Sequence, residues 1–288
     1  MPNVTGEIED PVRAERERRF RQKQNAVKQL EALEQKPGKL QRPVFFVPGW
    51  RDEGNVCWMK PYSKGYTALA EWLPRVVKNP ELAEYITFTE EESKSCPSFL
   101  DFGEILKGKI WDSVGKQKDF DVVGHSMAGL DTIAAITSPN QPLRRARRLV
   151  TVGTPHQGSE LGEFGTQFIK APKHIILQGV NLDPDQLPIQ MINHMEVRQE
   201  LLENVEHLYC LMGTRDMAVM GSGRFNKEGL SPKLYAEKVT TVEIEGARHS
   251  SALGITQDVR TILCVATVLL DLELDKPQQN YGYIYKSA

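Results

Sequence analysis

The sequence is poor in cysteine and has no long hydrophobic run, and each shortage excludes a class of protein. Four cysteines among 288 residues are too few and too scattered for a disulfide scaffold, and no CxxC pair is present to bind zinc. The longest apolar stretch, residues 261–270, is well short of the roughly 20 residues that cross a bilayer. The first residues also lack the apolar centre of an export signal. We therefore predict a cytoplasmic protein with no structural metal site and no integral membrane segment.

The net charge is also small. Thirty-six basic and thirty-eight acidic side chains leave a formal charge of -2, so nothing in the overall charge favours binding to nucleic acid or to an anionic membrane. Hydrophobic residues (40%) and charged residues (26%) are close to their averages in globular chains. The length suits one large domain or two small ones, and we predict no nucleic-acid partner.

An N-terminal extension, residues 1–42, is predicted to contain one amphipathic helix. Residues 12–35 include no glycine or proline and place Phe20, Val27, Leu30 and Leu33 at helical spacing. Residues 16–23 are rich in basic side chains. This pattern favours a solvated basic face and an apolar stripe docked on the body of the protein. Contact of the basic part with a partner or a lipid surface is the alternative.

Residues 43–288 are predicted to form an α/β domain, because short apolar runs alternate with helical stretches. Several runs are continuously apolar, as expected for a mostly parallel sheet with helices on both faces. The interval 158–204 is longer than a crossover needs and is a candidate cap or insertion. The six expected strands are residues 44–47, 85–88, 121–123, 149–152, 207–211 and 239–244. The expected helices are residues 65–78, 102–114, 128–137, much of 160–203, and 257–272.

A serine flanked by small residues lies between an expected strand and an expected helix. In the segment Gly124-His125-Ser126-Met127-Ala128, a strand-to-helix turn would hold the serine hydroxyl above the carboxyl ends of the strands. The amide of Met127, at the helix N-terminus, could bind negative charge developing on a carbonyl oxygen. An ordinary helix-capping serine is the alternative reading of this segment.

Two further residues complete the set that would activate such a serine. A serine hydroxyl is a weak nucleophile unless an imidazole takes its proton, and the imidazole needs a carboxylate to orient it. Asp216 comes just after the expected strand 207–211, and His249 follows the strand 239–244. Because the carboxyl ends of parallel strands meet at one edge of a sheet, the three side chains are expected there together. A turn aspartate and a surface histidine are the separate alternatives.

The remaining histidines fit the role of base less well. His125 neighbours the serine but should point away from it, whereas His174, His194 and His207 do not follow a strand. The strand at residues 44–47 ends in Pro-Gly, and the next amide, that of Trp50, is where a second donor to an oxyanion would lie.

These motifs together resemble the α/β-hydrolase superfamily, and within it bacterial serine esterases and lipases, over residues 43–272. The resemblance implies Ser126 as nucleophile, Asp216 as acid, His249 as base and the amides of Trp50 and Met127 as oxyanion hole. The segment Thr154-Pro155-His156-Gln157-Gly158-Ser159 is similar to one that follows a strand in many lipases, where its histidine is structural. The chain departs from the family in having Pro48 where a histidine is usual and fewer strands than the full fold.

The function that follows is hydrolysis of carboxylic esters through an acyl-enzyme, with a role in lipid metabolism and no cofactor. The expected partner is a small-molecule ester, and lipid-surface contact stays open. The same three residues would serve an acyltransferase or a thioesterase. A binding protein that uses the hydrolase scaffold without catalysis is the alternative from a different class.

Overall fold

One sheet of seven strands forms the centre of the structure, which is a computed structural model. Its strand order is β2-β1-β3-β4-β5-β6-β7. Strands β1 to β6 are parallel, and β7 runs antiparallel to β6 at one edge. The strands are β1 Val44–Val47, β2 Ala83–Tyr85, β3 Phe120–His125, β4 Ala146–Val152, β5 His207–Gly213, β6 Val239–Ile244 and β7 Tyr283–Ser287. The described residues are 10–49, 56–59, 68–96, 98–115, 118–143, 145–159, 181–219, 222–249, 254–272, 274 and 283–287.

The predicted α/β class is confirmed, and each of the six expected strands overlaps or adjoins a strand of the parallel sheet. The expected strand 85–88 is displaced, because the strand is Ala83–Tyr85. Ile86 still donates its amide to the Phe46 carbonyl oxygen at 2.9 Å. Ile86 and Phe88 are buried in the core just past the regular ladder. The apolar run therefore marks burial rather than the extent of pairing.

The seventh strand was not predicted. Strand β7 pairs with β6 from Ser287 opposite Thr240 to Tyr283 opposite Ile244. An edge strand needs only one neighbour, so a short stretch with β-branched and aromatic residues suffices to form it. The sequence Tyr283-Ile284-Tyr285 carries that signal.

The sheet separates two hydrophobic clusters. Successive side chains of a strand point to opposite faces, and β1 illustrates this: Phe45 and Val47 belong to one cluster, Val44 and Phe46 to the other. All four are buried. Burial on both faces explains why the strand reads as a continuous apolar run.

Helices cover both faces of the sheet. α5 (Phe99–Val114) and α6 (Met127–Ile136) pack together in the first cluster. The helices α1 (Pro11–Gln35), α3 (Leu69–Val76) and α10 (Val259–Leu269) pack together in the second. In the described part of the chain, no helix is long and apolar enough to span a membrane. The helices are α1 Pro11–Gln35, α2 Val56–Met59, α3 Leu69–Val76, α4 Glu90–Ser95, α5 Phe99–Val114, α6 Met127–Ile136, α7 Leu187–Asn193, α8 Met195–Asn204, α9 Pro232–Lys238 and α10 Val259–Leu269.

The N-terminal helix α1 is present, but its apolar stripe differs from the predicted one. Leu30 is fully buried, and Val27 and Leu33 pack partly buried against the core. Phe20, expected in the same stripe, is 63% exposed. The first half of α1 docks through Gln22 on polar groups of the body, so an apolar residue there has no core to enter. That part of the prediction is wrong.

The described half of the interval 158–204 packs as core. In α8, Leu201 and Leu202 are fully buried, and the helix contacts α6 and α9. Residues 160–180 lie outside the described residues. The cap or insertion therefore stays a prediction for that segment.

Candidate active site

The turn between β3 and α6 holds Ser126 in a strained conformation. Its φ of 55° and ψ of -128° lie where residues with a Cβ are rarely found. The Ser126 amide donates to the Val152 carbonyl oxygen at 2.9 Å, and the Ser126 carbonyl oxygen accepts from Thr154 Oγ1 at 2.8 Å. The Ser126 side chain makes no capping hydrogen bond to α6. The backbone is thus fixed from β4 and its loop, and the hydroxyl is left for another partner.

Small residues around the serine make this turn possible. A methyl group at Gly124 would lie 2.9 Å from the amide nitrogen of Gly129, so β3 and α6 could not approach as they do. A methyl group at Gly129 would lie 2.6 Å from Thr154 Cγ2. The close contact with the loop after β4 therefore falls on Gly129, one residue beyond the position that the G-x-S-x-G pattern specifies. Ala128 is buried in the core.

The end of β1 lies directly against the same turn. A methyl group at Gly49 would be 2.6 Å from the His125 carbonyl oxygen and 2.7 Å from Ser126 Cβ. Trp50, the predicted source of one oxyanion-binding amide, lies outside the described residues. Met127, the predicted source of the other, is the first residue of α6, where backbone amides have no partner within their own helix.

The structure brings Ser126, His249 and Asp216 together in one hydrogen-bonded chain. Ser126 Oγ lies 2.8 Å from His249 Nε2, and His249 Nδ1 lies 3.0 Å from Asp216 Oδ2. The two links engage opposite nitrogens of one imidazole. The contact of His249 Nδ1 with Asp216 Oδ2 places the ring proton on Nδ1, because a carboxylate oxygen accepts hydrogen bonds. Nε2 is then free to accept the proton of the serine hydroxyl.

Asp216 is completely buried, and its second oxygen is also occupied. Oδ1 accepts from the Ala218 amide at 3.1 Å. The loops carrying Asp216 and His249 are held together, since the Arg215 amide donates to the Ala247 carbonyl oxygen at 3.0 Å. Gly153, with a φ of 60°, faces both groups: a methyl group there would lie 3.1 Å from Asp216 Oδ2. The sequence did not identify Gly153, although a glycine just after a strand was a signal for it.

His125 is also part of the site, contrary to the expectation that it points away. Its ring centroid lies 5.3 Å from that of His249, with Trp58 on another side at 6.2 Å. Burial, and then the proximity of His249, lower the pKa of His125 to about 3, so the ring is neutral. Within the described residues, neither of its ring nitrogens has a hydrogen-bond partner. A neutral ring adds no positive charge beside His249.

His156 is buried beneath the site and does not contact the chain of three residues. Its Nε2 lies 2.9 Å from Thr151 Oγ1 and 3.5 Å from Cys210 Sγ, and its carbonyl oxygen accepts from Asn193 Nδ2 at 2.8 Å. Burial lowers the pKa of His156 to about 3. These contacts join the loop after β4 to β5 and α7.

The depressed pKa of His156 predicts a pH dependence of stability. Between about pH 3 and 6.5 the unfolded chain binds a proton at this residue and the folded chain does not, so stability is lost as the pH falls below 6.5. At pH 5 the loss from this residue is about 2 kcal/mol. In urea unfolding at pH 7 and pH 5, a His156→Asn variant should lose about 2 kcal/mol less than the parent protein between the two pH values. If the variant and the parent protein lost the same stability between pH 7 and pH 5, the depressed pKa of His156 would be contradicted.

The described residues hold no cluster of three or more His, Cys, Asp and Glu side chains that could bind a metal ion. Cys96, Cys210 and Cys264 are buried, and none of the three is in a disulfide bond. Burial raises the pKa values of Cys210 and Cys264 to about 12, so both are protonated, uncharged thiols. We assign no catalytic role to them.

Comparison with solved structures identifies the fold. The chain is similar to the mature lipase BlEst2 of Bacillus licheniformis, with a TM-score of 0.54 and 16% identity over 81% of this chain and 94% of the lipase. It is also similar to the phospholipase PlaB of Legionella pneumophila, with a TM-score of 0.56 and 13% identity over 84% of this chain and 62% of PlaB. No protein-family model and no curated protein sequence matches the chain. At 16% and 13% identity, these similarities show that the fold is shared and do not show a shared activity.

Proposed function

We propose that this protein, which has the α/β-hydrolase fold, is a serine hydrolase of carboxylic esters. The observation that carries the proposal is the hydrogen-bonded chain from Ser126 through His249 to Asp216. The fold supports it, because the compared structures include a lipase and a phospholipase. In this proposal residues 43–288 form the catalytic domain and residues 1–42 an extension packed on it.

The first half of the reaction acylates the enzyme. Ser126 Oγ bonds to the ester carbonyl carbon as His249 Nε2 takes the hydroxyl proton, and the carbonyl electron pair moves onto oxygen. Asp216, which is buried, accepts the hydrogen bond from Nδ1 and so stabilises the resulting imidazolium. When the carbonyl re-forms, the bond to the alcohol oxygen breaks and His249 returns its proton to that oxygen.

The second half releases the acid. A water molecule takes the place of the alcohol and gives a proton to His249 as its oxygen bonds to the acyl carbon. The bond to Ser126 Oγ then breaks and Oγ regains the proton. In both halves we assign the oxyanion to the amides of Met127 and Trp50, since the first residue of a helix offers an unpaired amide and a positive dipole end.

The ester is proposed to be one with an apolar acyl group. Residues 160–180, for which the cap stays a prediction, are rich in apolar side chains, and a cap of this composition would bind an acyl chain. Transfer of the acyl group to an alcohol, or its release from a thioester, would use the same residues, so product analysis with added alcohol and with a thioester distinguishes these reactions.

A fluorophosphonate probe tests the proposal directly. The probe phosphonylates a serine that an adjacent imidazole activates, so intact-mass analysis should show one added probe per chain, located on the Ser126 peptide. Ser126→Ala should remain unlabelled. Ser159→Ala, which removes a buried hydroxyl bonded to the Ala218 carbonyl oxygen, is the matched control and should be labelled normally.

A series of p-nitrophenyl esters from acetate to palmitate then defines the acyl preference. Folded protein that neither reacts with the probe nor hydrolyses any of these esters would overturn the proposal and favour a non-catalytic binding protein built on the same scaffold.

A further inference from the structure

The first half of α1 exposes a basic and aromatic surface. Val12 is 53% exposed and Phe20 is 63% exposed. Arg16 lies between them at helical i, i+4 spacing. Arg21, about 100° around the helix from Phe20, lies at the margin of the exposed half of α1, and both arginines are exposed. Among the described residues, neither arginine forms an ion pair, whereas nearby Arg13 is paired with Glu17. We call Val12, Arg16, Phe20 and Arg21 the basic–aromatic face.

This face lies at the edge of the sheet that carries the candidate active site. On the docked side of α1, Glu15 pairs with Arg215 at 3.1 Å, and Arg215 directly precedes Asp216. Arg18 forms an ion pair with Glu245, at the end of β6 and four residues before His249. The helix is therefore anchored to both loops that bring Asp216 and His249 to Ser126.

A buried ionic network makes this attachment firm. Arg260, almost fully buried, binds both oxygens of Asp258 at 2.8 Å and donates to the Glu245 carbonyl oxygen at 2.8 Å and to Gln22 Oε1 at 3.2 Å. Lys23 lies 3.2 Å from Asp258. Burial alone would raise the pKa of Asp258, but Arg260 and Lys23 outweigh it and lower the pKa, so the carboxylate stays charged. Phe20 is thus exposed on a helix that is held in place.

We propose that the basic–aromatic face binds the surface of an anionic phospholipid bilayer and so brings the catalytic edge to lipid esters. The proposal rests on the ester-hydrolase function. Residues 11–23 contain six basic and two acidic side chains in a protein whose formal charge is -2, so the positive charge is local. Arginines pair with lipid phosphates, and exposed aromatic and aliphatic side chains enter the interface beneath them. A nucleic-acid surface would use the arginines but gives no reason to expose Val12.

Binding to vesicles tests the proposal without depending on catalysis. The full-length Ser126→Ala protein, which cannot turn over lipid, is sedimented with vesicles of phosphatidylcholine alone or with 30% phosphatidylglycerol. We expect binding to the anionic vesicles only, weakened by salt. The double variant Arg16→Glu/Arg21→Glu should lower the partition coefficient at least about 20-fold, and Phe20→Ala about tenfold.

A charge-matched control separates the face from net charge. The control variant Lys36→Glu/Lys118→Glu makes the same change in charge at the opposite edge of the sheet. Lys36 directly follows α1, and Lys118 precedes β3. This variant should bind to the anionic vesicles like the parent. When the same substitutions of the basic–aromatic face are made in protein that keeps Ser126, it should hydrolyse soluble p-nitrophenyl butyrate at the parental rate.

Three results would overturn the proposal: vesicle binding that the face variants leave unchanged, an equal loss in the control, or a dimer of this chain, detected by light scattering, that Phe20→Ala dissociates. Binding to anionic vesicles without any esterase activity would instead contradict the proposed function and still support the proposal that the basic–aromatic face binds lipid.

Discussion

Replacing Ser126 or His249 with alanine should lower kcat for p-nitrophenyl butyrate about 10⁶-fold. The 2.8 Å contact between Ser126 Oγ and His249 Nε2 makes nucleophile and base one functional unit, so either loss removes the same step. The double variant should therefore be no slower than the single ones. Steady-state and burst kinetics on folded protein, checked by circular dichroism and thermal unfolding, measure these effects.

Asp216→Asn should preserve the geometry and still lower kcat about 10⁴-fold. An amide at this position can donate its N–H to Nδ1, which leaves the proton on Nε2, the nitrogen that must accept it from Ser126.

Hydrolysis by Ser126→Ala within tenfold of the parent enzyme would exclude the mechanism. A double variant whose loss of kcat equals the product of the losses of Ser126→Ala and His249→Ala would also exclude it.

Gly49→Ala should lower kcat at least about 100-fold, because small misplacements at a reacting centre are costly. The new methyl group would lie 2.7 Å from Ser126 Cβ and 2.6 Å from the His125 carbonyl oxygen. Backbone cannot yield as a flexible side chain can, so either the serine turn or the loop after β1 must move.

Gly108→Ala is the matched control for this substitution. Gly108 lies within α5, where a methyl group would meet nothing within 4 Å. Alanine is the better helix former by about 1 kcal/mol, so this variant should be slightly more stable and fully active. A Gly49→Ala enzyme with parental kcat, measured beside it, would show that the loop after β1 does not constrain Ser126.

The parallel strands could be predicted, and the three proposed catalytic residues could be assigned to one edge of the sheet, because both inferences use short-range patterns. A run buried on both faces must be apolar, and a loop after a parallel strand must emerge at the carboxyl edge. Ser126, Asp216 and His249 each follow such a run, so topology alone brought them to one edge. Their separations of 2.8 and 3.0 Å depend on loop contacts, such as that of Arg215 with Ala247, which no spacing encodes.

The errors arose where a side chain's partner is distant in sequence. Phe20 was expected to be docked because its spacing from Leu30 is helical, yet the body opposite that part of α1 is polar. The sequence neighbour Ser126 gives no sign of where the His125 ring lies, because that ring packs on His249, which belongs to the loop after β6. The edge strand Tyr283–Ser287 was missed because one-sided pairing leaves a weak pattern.

The buried guanidinium of Arg260 has a consequence for how the chain can be divided. It spans three segments, α1, α10 and the loop after β6, and Ala26 and Leu30 of α1 are wholly enclosed by the second hydrophobic cluster. A fragment beginning at residue 43 would lack Gln22, which accepts a hydrogen bond from Arg260. It would also expose the part of the second hydrophobic cluster that Ala26 and Leu30 cover. Helix α1 is thus a structural component of the folded body, and a recombinant form should retain it.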